Sequence, residues 1–443
     1  MKKTFVSDIV EKVGEEVTLF GWVSIRRDHG KLIFFDLRDS SGEVQAVALP
    51  NHEEAHAVAD TIRPEWVISV VAKVNQRPEK MVNTEQALGH LELEALAIEV
   101  LSKAHELPFD KDSELNIDTY LNFLPLTLRT KRAQEIFKLQ ETLVETFRST
   151  LKNERFTEFQ APAITGGDAE GGANVFKLEY FNDKFAYLTT SPQLYKQIMV
   201  GVYERVFTTP KAFRAESHAT TRHLNEYSTL DFEMGFIGDH RDVMAMQERV
   251  VREYVTAVKE KHADTMKHFS IEVPQIPEQI PVLTLTEAQE LIKEKYGEDC
   301  VGEPDLTPQH EEWLCEYALK EKASDFIFIT HYPVSKRPFY TYEDEANPGY
   351  TKSFDLLFRG VEITTGGQRI HSYEKLIENI QKWNLNPEAF SYYLQAFKFG
   401  MPPHGGCATG LERLTAKMLG IKNVKEATLF PRDMNRIDTQ LSE

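Results

Sequence analysis

Cysteine is scarce in this chain: Cys300, Cys315 and Cys407 are the only three among 443 residues. They are too few and too scattered for a disulfide framework, and with no C-x-x-C pair a zinc ribbon is excluded as well. Long apolar runs are also missing. The longest, near Trp66 to Val74, falls far short of the ~20 residues that span a bilayer. The opening MKKTFVSDIVEK carries no continuous apolar segment of the signal-peptide kind. These absences predict a cytoplasmic protein with no membrane partner. Basic charge is in deficit, 51 Lys and Arg against 69 Asp and Glu, for a net charge of −18. That argues against a surface that grips nucleic acid all over, but not against local basic grooves. No G-x-x-x-x-G-K-[ST], G-x-G-x-x-G or G-x-S-x-G occurs, so P-loop, Rossmann and serine-hydrolase readings have no support.

What is present is an ordinary globular composition, 41% apolar and 27% charged, in a chain long enough for about two or three domains. Residues 1–105 read as β structure. EEVTLFGWVSIRR, KLIFFDLRD, GEVQAVAL and EWVISVVAKVNQ are short, rich in Val, Ile and Phe, and separated by turn residues. About five such strands suit a small barrel of the oligonucleotide-binding (OB) type. Residues 106–120, with Pro108 and several acids, read as a linker. From 121 to 443 helices and strands mix. Lys131 to Lys152 has Ile136, Leu139, Leu143, Phe147 and Leu151 on one helical face. A second helix is expected over 191–206 and a third over 240–262. Tight strand-to-strand turns recur, so the fold class is α+β, an antiparallel sheet flanked by helices. Residues 264–325, broken by prolines, read as an inserted surface subdomain.

Chemistry concentrates in a few segments. In KAFRAESHATTRHLNEYSTLDFEMGF (211–236), alternation puts Arg214 and Glu216 on one strand face, and Tyr227, Thr229, Asp231 and Glu233 on one face of the next. A loop with His218, Arg222, His223 and Glu226 lies between them. Two strands thus aim arginine, carboxylates and an aromatic ring at one side of a sheet, as a phosphate ester with a flat base would require. In KSFDLLFRGVEITTGGQRIH (352–371), a two-residue turn at Arg359-Gly360 sets Leu357 against Glu362 and Asp355 against Thr364. The two carboxylates are then diagonal neighbours, hard donors suited to Mg²⁺. Gly366 and Gly367 would let backbone approach a ligand, and Arg369 follows. PPHGGCATGLERL reads as a glycine-rich turn running into a helix with Arg413 in its first turn. Gln193 and Lys196 share a helix face, and Asp168 to Gly172 form an acidic loop. Each piece alone suits a solvated surface element. Together they describe a site for Mg·ATP and an amino acid.

These residues resemble the three signature motifs of class II aminoacyl-tRNA synthetases, in the branch with an N-terminal OB barrel. Motif 1 resembles Phe147 to Pro162, motif 2 FRAESHATTRHLNE and motif 3 Gly410 to Leu414. SPQLYKQIM, GVEITTGGQR and FGMPPHGG are similar to the aspartyl family of the short, archaeal-like type. The resemblance spans essentially the whole chain and implies ATP and Mg²⁺ as cofactors, with L-aspartate and tRNA(Asp) as substrates. It leaves tRNA(Asn) open as a second acceptor, and it implies a homodimer formed through motif 1, with Pro162 near the two-fold axis. Arg214 and Arg413 would be the catalytic arginines. Arg214, Glu216, Arg222, His223, Leu224, Tyr227, Glu362, Gly410 and Arg413 would hold ATP. Asp355, Glu362 and Thr365 would carry the metal. Glu170, Gln193, Lys196, Arg214, Asp231, Thr365 and Arg369 would surround aspartate, Lys196 and Arg369 pairing with its side-chain carboxylate. In the barrel, Arg26, Arg27, Phe34 and Gln45 match anticodon-contacting positions; with Phe34 and Phe35 adjacent, only one can face inward.

Departures are few. Arg155-Phe156 replaces the usual Gly-Phe of motif 1, and Cys407-Ala408-Thr409 stands before motif 3 where relatives show glycine and bulky apolar residues. Rival readings are an asparaginyl-tRNA synthetase, a non-catalytic tRNA-binding paralogue and an amide-forming asparagine synthetase. Lys196 and the GGQR-I-H context oppose the first. The retained motif arginines and carboxylates oppose the second, and the barrel the third.

Overall fold

The computed structural model describes residues 3–84, 86–110, 113, 115–167, 174–217 and 220–441. The chain divides into two compact units, Met1–Ser113 and Glu114–Glu443.

The first unit is a closed barrel of β1 (Glu16–His29), β2 (Leu32–Arg38), β3 (Glu43–Ala48), β4 (Val67–Gln76) and β5 (Leu91–Ser102), in the order β1-β2-β3-β5-β4. Period-2 alternation decides which side chains fill it. In β2, Ile33, Phe35 and Leu37 are buried in the barrel core with Val23, Ile68 and Leu93, while Phe34 stays half-buried on the outer face.

The second unit is built on β6 (Thr157–Glu158), β7 (Ile164–Thr165), β8 (Lys177–Tyr180), β9 (Lys184–Leu188), β10 (Arg205–Thr208), β11 (Lys211–Phe213), β12 (Glu226–Gly235), β13 (Val282–Thr284), β14 (Phe326–Thr330), β15 (Ser353–Phe358), β16 (Val361–Arg369) and β17 (His404–Gly410). The main sheet runs β13-β14-β15-β16-β17-β12-β10-β6, with β11 also paired to β12, and β7-β9-β8 form a separate small sheet. Its centre is antiparallel, as expected, but β13/β14 and β10/β6 pair in parallel, so the sheet is mixed.

The Lys131–Asn153 helix buries the predicted stripe of Ile136, Leu139, Leu143, Phe147 and Leu151. The stripe shares one core with Val243 and Val250 of the His240–Lys261 helix and with Phe207, Phe232 and Phe328 of the sheet. Each such fully buried side chain stabilises the fold by ~1.5–3 kcal/mol. The helix expected over 191–206 spans Gln193–Tyr203. It stops where Glu204 takes a positive φ of 67°, which reverses the chain into β10.

Two further expectations change. The glycine-rich stretch before motif 3 is a strand, β17, lying between β16 and β12. Its glycines are steric necessities, since a Cβ on Gly406 would stand 2.2 Å from Glu233 Oε2. Within 264–325, β13 extends the main sheet, and the Leu285–Tyr296 and Pro308–Lys322 helices share a core with Ile327, Ile329 and Leu357. Both helices begin on threonine caps, Thr284 and Thr307, that accept backbone N–H bonds. Among the described residues no helix is long and apolar enough to cross a membrane.

Candidate active site

The β15–β16 hairpin turns at Arg359 and Gly360, both at positive φ (47° and 82°), the geometry of a tight two-residue turn. Leu357 opposes Glu362 as the turn dictates, but a bulge at Leu356/Leu357 shifts the rest, so Asp355 pairs with Thr365 rather than Thr364. Thr364 instead points to the helix side, bonded to Thr409 and Gln247. Thr365 is exposed on the Asp355 side. Gly366 and Gly367 serve cross-strand packing against Phe354, Cys407 and Ser353 rather than an open ligand surface.

Arg337, which the sequence did not single out, bridges this group. It donates to Asp355 Oδ2 at 2.7 Å and to Thr365 Oγ1 at 2.9 Å. Among the described residues, Asp355 Oδ1 is buried with no hydrogen-bond partner. Burial and the Asp355 charge push the Glu362 carboxyl above its ordinary value, against the pull of Arg413, Arg337 and Arg214. Arg413, from the Leu411–Met418 helix, donates to the Glu362 carbonyl at 3.1 Å. These are hard oxygen donors beside positive charge, a set that can hold a divalent cation and the phosphates it serves.

Motif 2 supplies the adjoining wall. Arg214 lies 3.8 Å from Glu216, and its guanidinium stands 5.9 Å from the Tyr227 ring centre. His223 lies 3.8 Å from Glu216. Leu224 is buried. Gly410 pairs with Thr229 at the end of β17, and a Cβ there would meet nothing nearer than the Arg413 side chain at 3.9 Å. Glu412, missed by sequence reasoning, is buried and accepts the Ser228 N–H on both oxygens (2.9 and 3.0 Å), tying the motif 3 helix to the strand that carries Tyr227. Arg222 reaches Glu311 and Glu312 of the Pro308–Lys322 helix. Burial and the Glu362 charge push the Glu311 carboxyl up to about 7.

Deeper lies a buried charge cluster. Lys196 donates to Asp231 Oδ1 at 2.9 Å and to the Cys407 carbonyl at 3.1 Å, and stands 3.4 Å from Glu233. Arg369 donates to Glu233 at 2.9 Å, to Gln193 Oε1 at 3.3 Å and to the Gly406 carbonyl at 2.9 Å. Burial alone would raise the Glu233 carboxyl, but Arg369 and Lys196 outweigh it and hold it below its ordinary value. Burial pushes His404 down to about 4, so it is neutral at pH 7. Two cations and two carboxylates therefore balance. Among the described residues, Asp231 Oδ2 and Gln193 Nε2 are buried without partners, one acceptor and one donor left to meet something else. Glu233 was not among the expected site residues, although alternation had set it on Asp231's face. Glu170 lies outside the described residues.

In the barrel, Arg27 holds buried Asp36 at 2.8 Å while its side chain stays 40% exposed. Gln45, directly across from Asp36, donates to Glu92 at 3.0 Å. Phe34 presents its outer face beside His29, ring centres 5.7 Å apart. Arg26 donates to Asp60 and to the Ala59 carbonyl, so its charge is engaged within the barrel unit.

Residues 116–434 match the family described as tRNA synthetases class II (D, K and N), and residues 17–101 the OB-fold nucleic acid binding domain. The chain belongs to the class II tRNA synthetases, a family that uses ATP to attach amino acids to tRNA. It is 44% identical to the aspartate--tRNA(Asp/Asn) ligase of Thermus thermophilus, over 98% of this chain and 99% of that protein. It is 37% identical to the aspartate--tRNA(Asp) ligase of Pyrococcus abyssi, over 99% of each. Among solved structures, asparaginyl-tRNA synthetase from Pyrococcus horikoshii complexed with asparaginyl-adenylate superposes with a TM-score of 0.90 at 30% identity, covering 99% of both chains.

Proposed function

We propose that this protein activates L-aspartate with ATP to aspartyl-adenylate and transfers the aspartyl group to the 3′ end of tRNA(Asp), with tRNA(Asn) as the second acceptor to test. The observation that carries the choice of amino acid is Glu233, shared between Lys196 and Arg369. Neither cation waits unpaired, so a simple count of two free positive charges does not account for selection. Substrate binding changes the count. The ammonium group of the substrate takes Asp231 Oδ2, which has no partner among the described residues, so three cations then face the two carboxylates Asp231 and Glu233. One buried positive charge is then uncompensated. The side-chain carboxylate of aspartate supplies the missing charge and the amide of asparagine does not.

Arg214 takes the substrate α-carboxylate and the α-phosphate of ATP. Glu216 holds the adenine side, Tyr227 stacks on the base and Gly410 leaves room beside it. Arg222, His223 and Arg413 hold the outer phosphates. No general base is needed for the first step. The α-carboxylate is ionised at pH 7 and attacks the α-phosphorus as the bond to the leaving pyrophosphate breaks, so the protein's work is alignment and charge neutralisation. Mg²⁺ fits Asp355, Glu362 and Thr365, where Asp355 Oδ1 has no partner among the described residues; when bound it would neutralise triphosphate charge. Arg337 keeps Asp355 and Thr365 aligned.

The outward Phe34 ring supports anticodon stacking, with Gln45 and Arg27 beside it. The chain acts as a homodimer through motif 1. Half-buried Phe137 and Val144 of the Lys131–Asn153 helix, with exposed Leu429, line an open groove that a second copy would cover. A translation enzyme of this kind works in the cytoplasm. The test is aminoacylation of tRNA(Asp) and tRNA(Asn) transcripts with labelled aspartate. Charging of tRNA(Asp) is the expected result, and no charging of either transcript would overturn the reading.

A further inference from the structure

Glu311 and Glu312 lie outside the three motifs, on the Pro308–Lys322 helix, yet face the motif 2 loop. Arg222 Nη1 is 3.5 Å from Glu311 Oε2, and Nη2 is 3.8 Å from Glu312 Oε1. The same Nη2 donates to the Gly360 carbonyl at 3.4 Å. The helix is seated on the β15–β16 turn. A Cβ on Gly360 would stand 3.0 Å from Glu312 Cγ, and Glu311 Oε2 accepts the Glu362 N–H at 3.4 Å. The helix is therefore seated on the hairpin that carries Glu362 and Glu311 is bonded to it, while Arg222 reaches both carboxylates from a loop.

We propose that this helix parks Arg222 in the ATP-free enzyme, and that the outer phosphates of ATP displace the two carboxylates to claim it, so that the segment sets ATP affinity. The inference rests on the reading of Arg222 as an outer-phosphate ligand. One guanidinium fork serves one anion pair at a time. Its present contacts are longer than the ~2.7–2.9 Å of a strong charge-assisted hydrogen bond, a grip that phosphate oxygens can better. Glu312, and the ionised fraction of Glu311, also repel the incoming triphosphate, so both effects oppose ATP binding and neither touches the reacting carboxylate or α-phosphate.

The test is ATP–pyrophosphate exchange on the full-length protein at saturating aspartate, with ATP varied, for Glu312→Gln, Arg222→Ala and the double variant. Glu312 is largely exposed on a helix surface, and glutamine suits a helix. Glu312→Gln is expected to lower the ATP KM about two- to fivefold, the range for an exposed ion pair, with kcat within twofold and the aspartate KM unchanged. Arg222→Ala is expected to raise the ATP KM, and Glu312→Gln to add nothing on that background. An unchanged or raised ATP KM in Glu312→Gln overturns the inference. So does an equal gain with and without Arg222, which would mean bulk repulsion instead of parking. A normal ATP KM in Arg222→Ala would remove the phosphate assignment itself, and the inference with it.

Discussion

Arg369 donates from Nε to Glu233 Oε1 at 2.9 Å, and both residues are buried beneath the β16–β17–β12 surface. The carboxylate also stands 3.4 Å from Lys196, so one anion serves both cations assigned to the substrate side chain. It keeps them charged and oriented before any amino acid arrives, which spares the pocket the full cost of two bare buried charges. Gly406 makes the arrangement possible, because a side chain there would collide with that carboxylate.

Glu233→Gln should destabilise the protein by about 3 kcal/mol, since it leaves a buried positive charge uncompensated. The folded carboxyl sits below its ordinary value of 4.5, so its contribution is fully present above that pH and is lost as pH falls through the folded value. Urea unfolding of wild type and variant should show a gap at pH 7 that narrows on acidification below 4.5. A constant gap, or none, contradicts the pairing.

Asp355→Asn should raise the Mg²⁺ concentration needed for half-maximal exchange about tenfold or more, because an anionic oxygen donor is replaced by a neutral amide. Titrating Mg²⁺ at fixed ATP checks this. An unchanged Mg²⁺ curve would place the ion elsewhere.

Phe34→Ala should raise the KM for tRNA while leaving tRNA-independent pyrophosphate exchange intact. Base–aromatic stacking is worth about 1–3 kcal/mol, or roughly five- to 150-fold in affinity. Loss of both activities would mean that the ring supports the barrel instead.

Much of this was legible from residue types and their spacing. Strand alternation established that only one of Phe34 and Phe35 faces the barrel interior, and the Ile136 to Leu151 stripe was legible because a helix repeats every 3.6 residues. The bulge at Leu356/Leu357 was not legible. Nothing in SFDLLFRGVEITT distinguishes a regular ladder from one with an extra residue, and that residue decides whether Thr364 or Thr365 stands by Asp355. The fate of HGGCATG was hidden for a related reason, as glycine marks turns in most contexts and here lets a carboxylate press on a central strand. Glu233 carried a signal, an acid two residues beyond Asp231 on the same face, but its partner Arg369 is 136 residues away. Arg337 and Glu311 reach the site through tertiary packing alone.

The central claim is that the Lys196–Arg369–Asp231–Glu233 cluster selects aspartate by charge. ATP–pyrophosphate exchange with aspartate and, separately, asparagine at matched Mg²⁺ tests it most directly. The account predicts exchange with aspartate and none above background with asparagine. Comparable exchange with asparagine would contradict it.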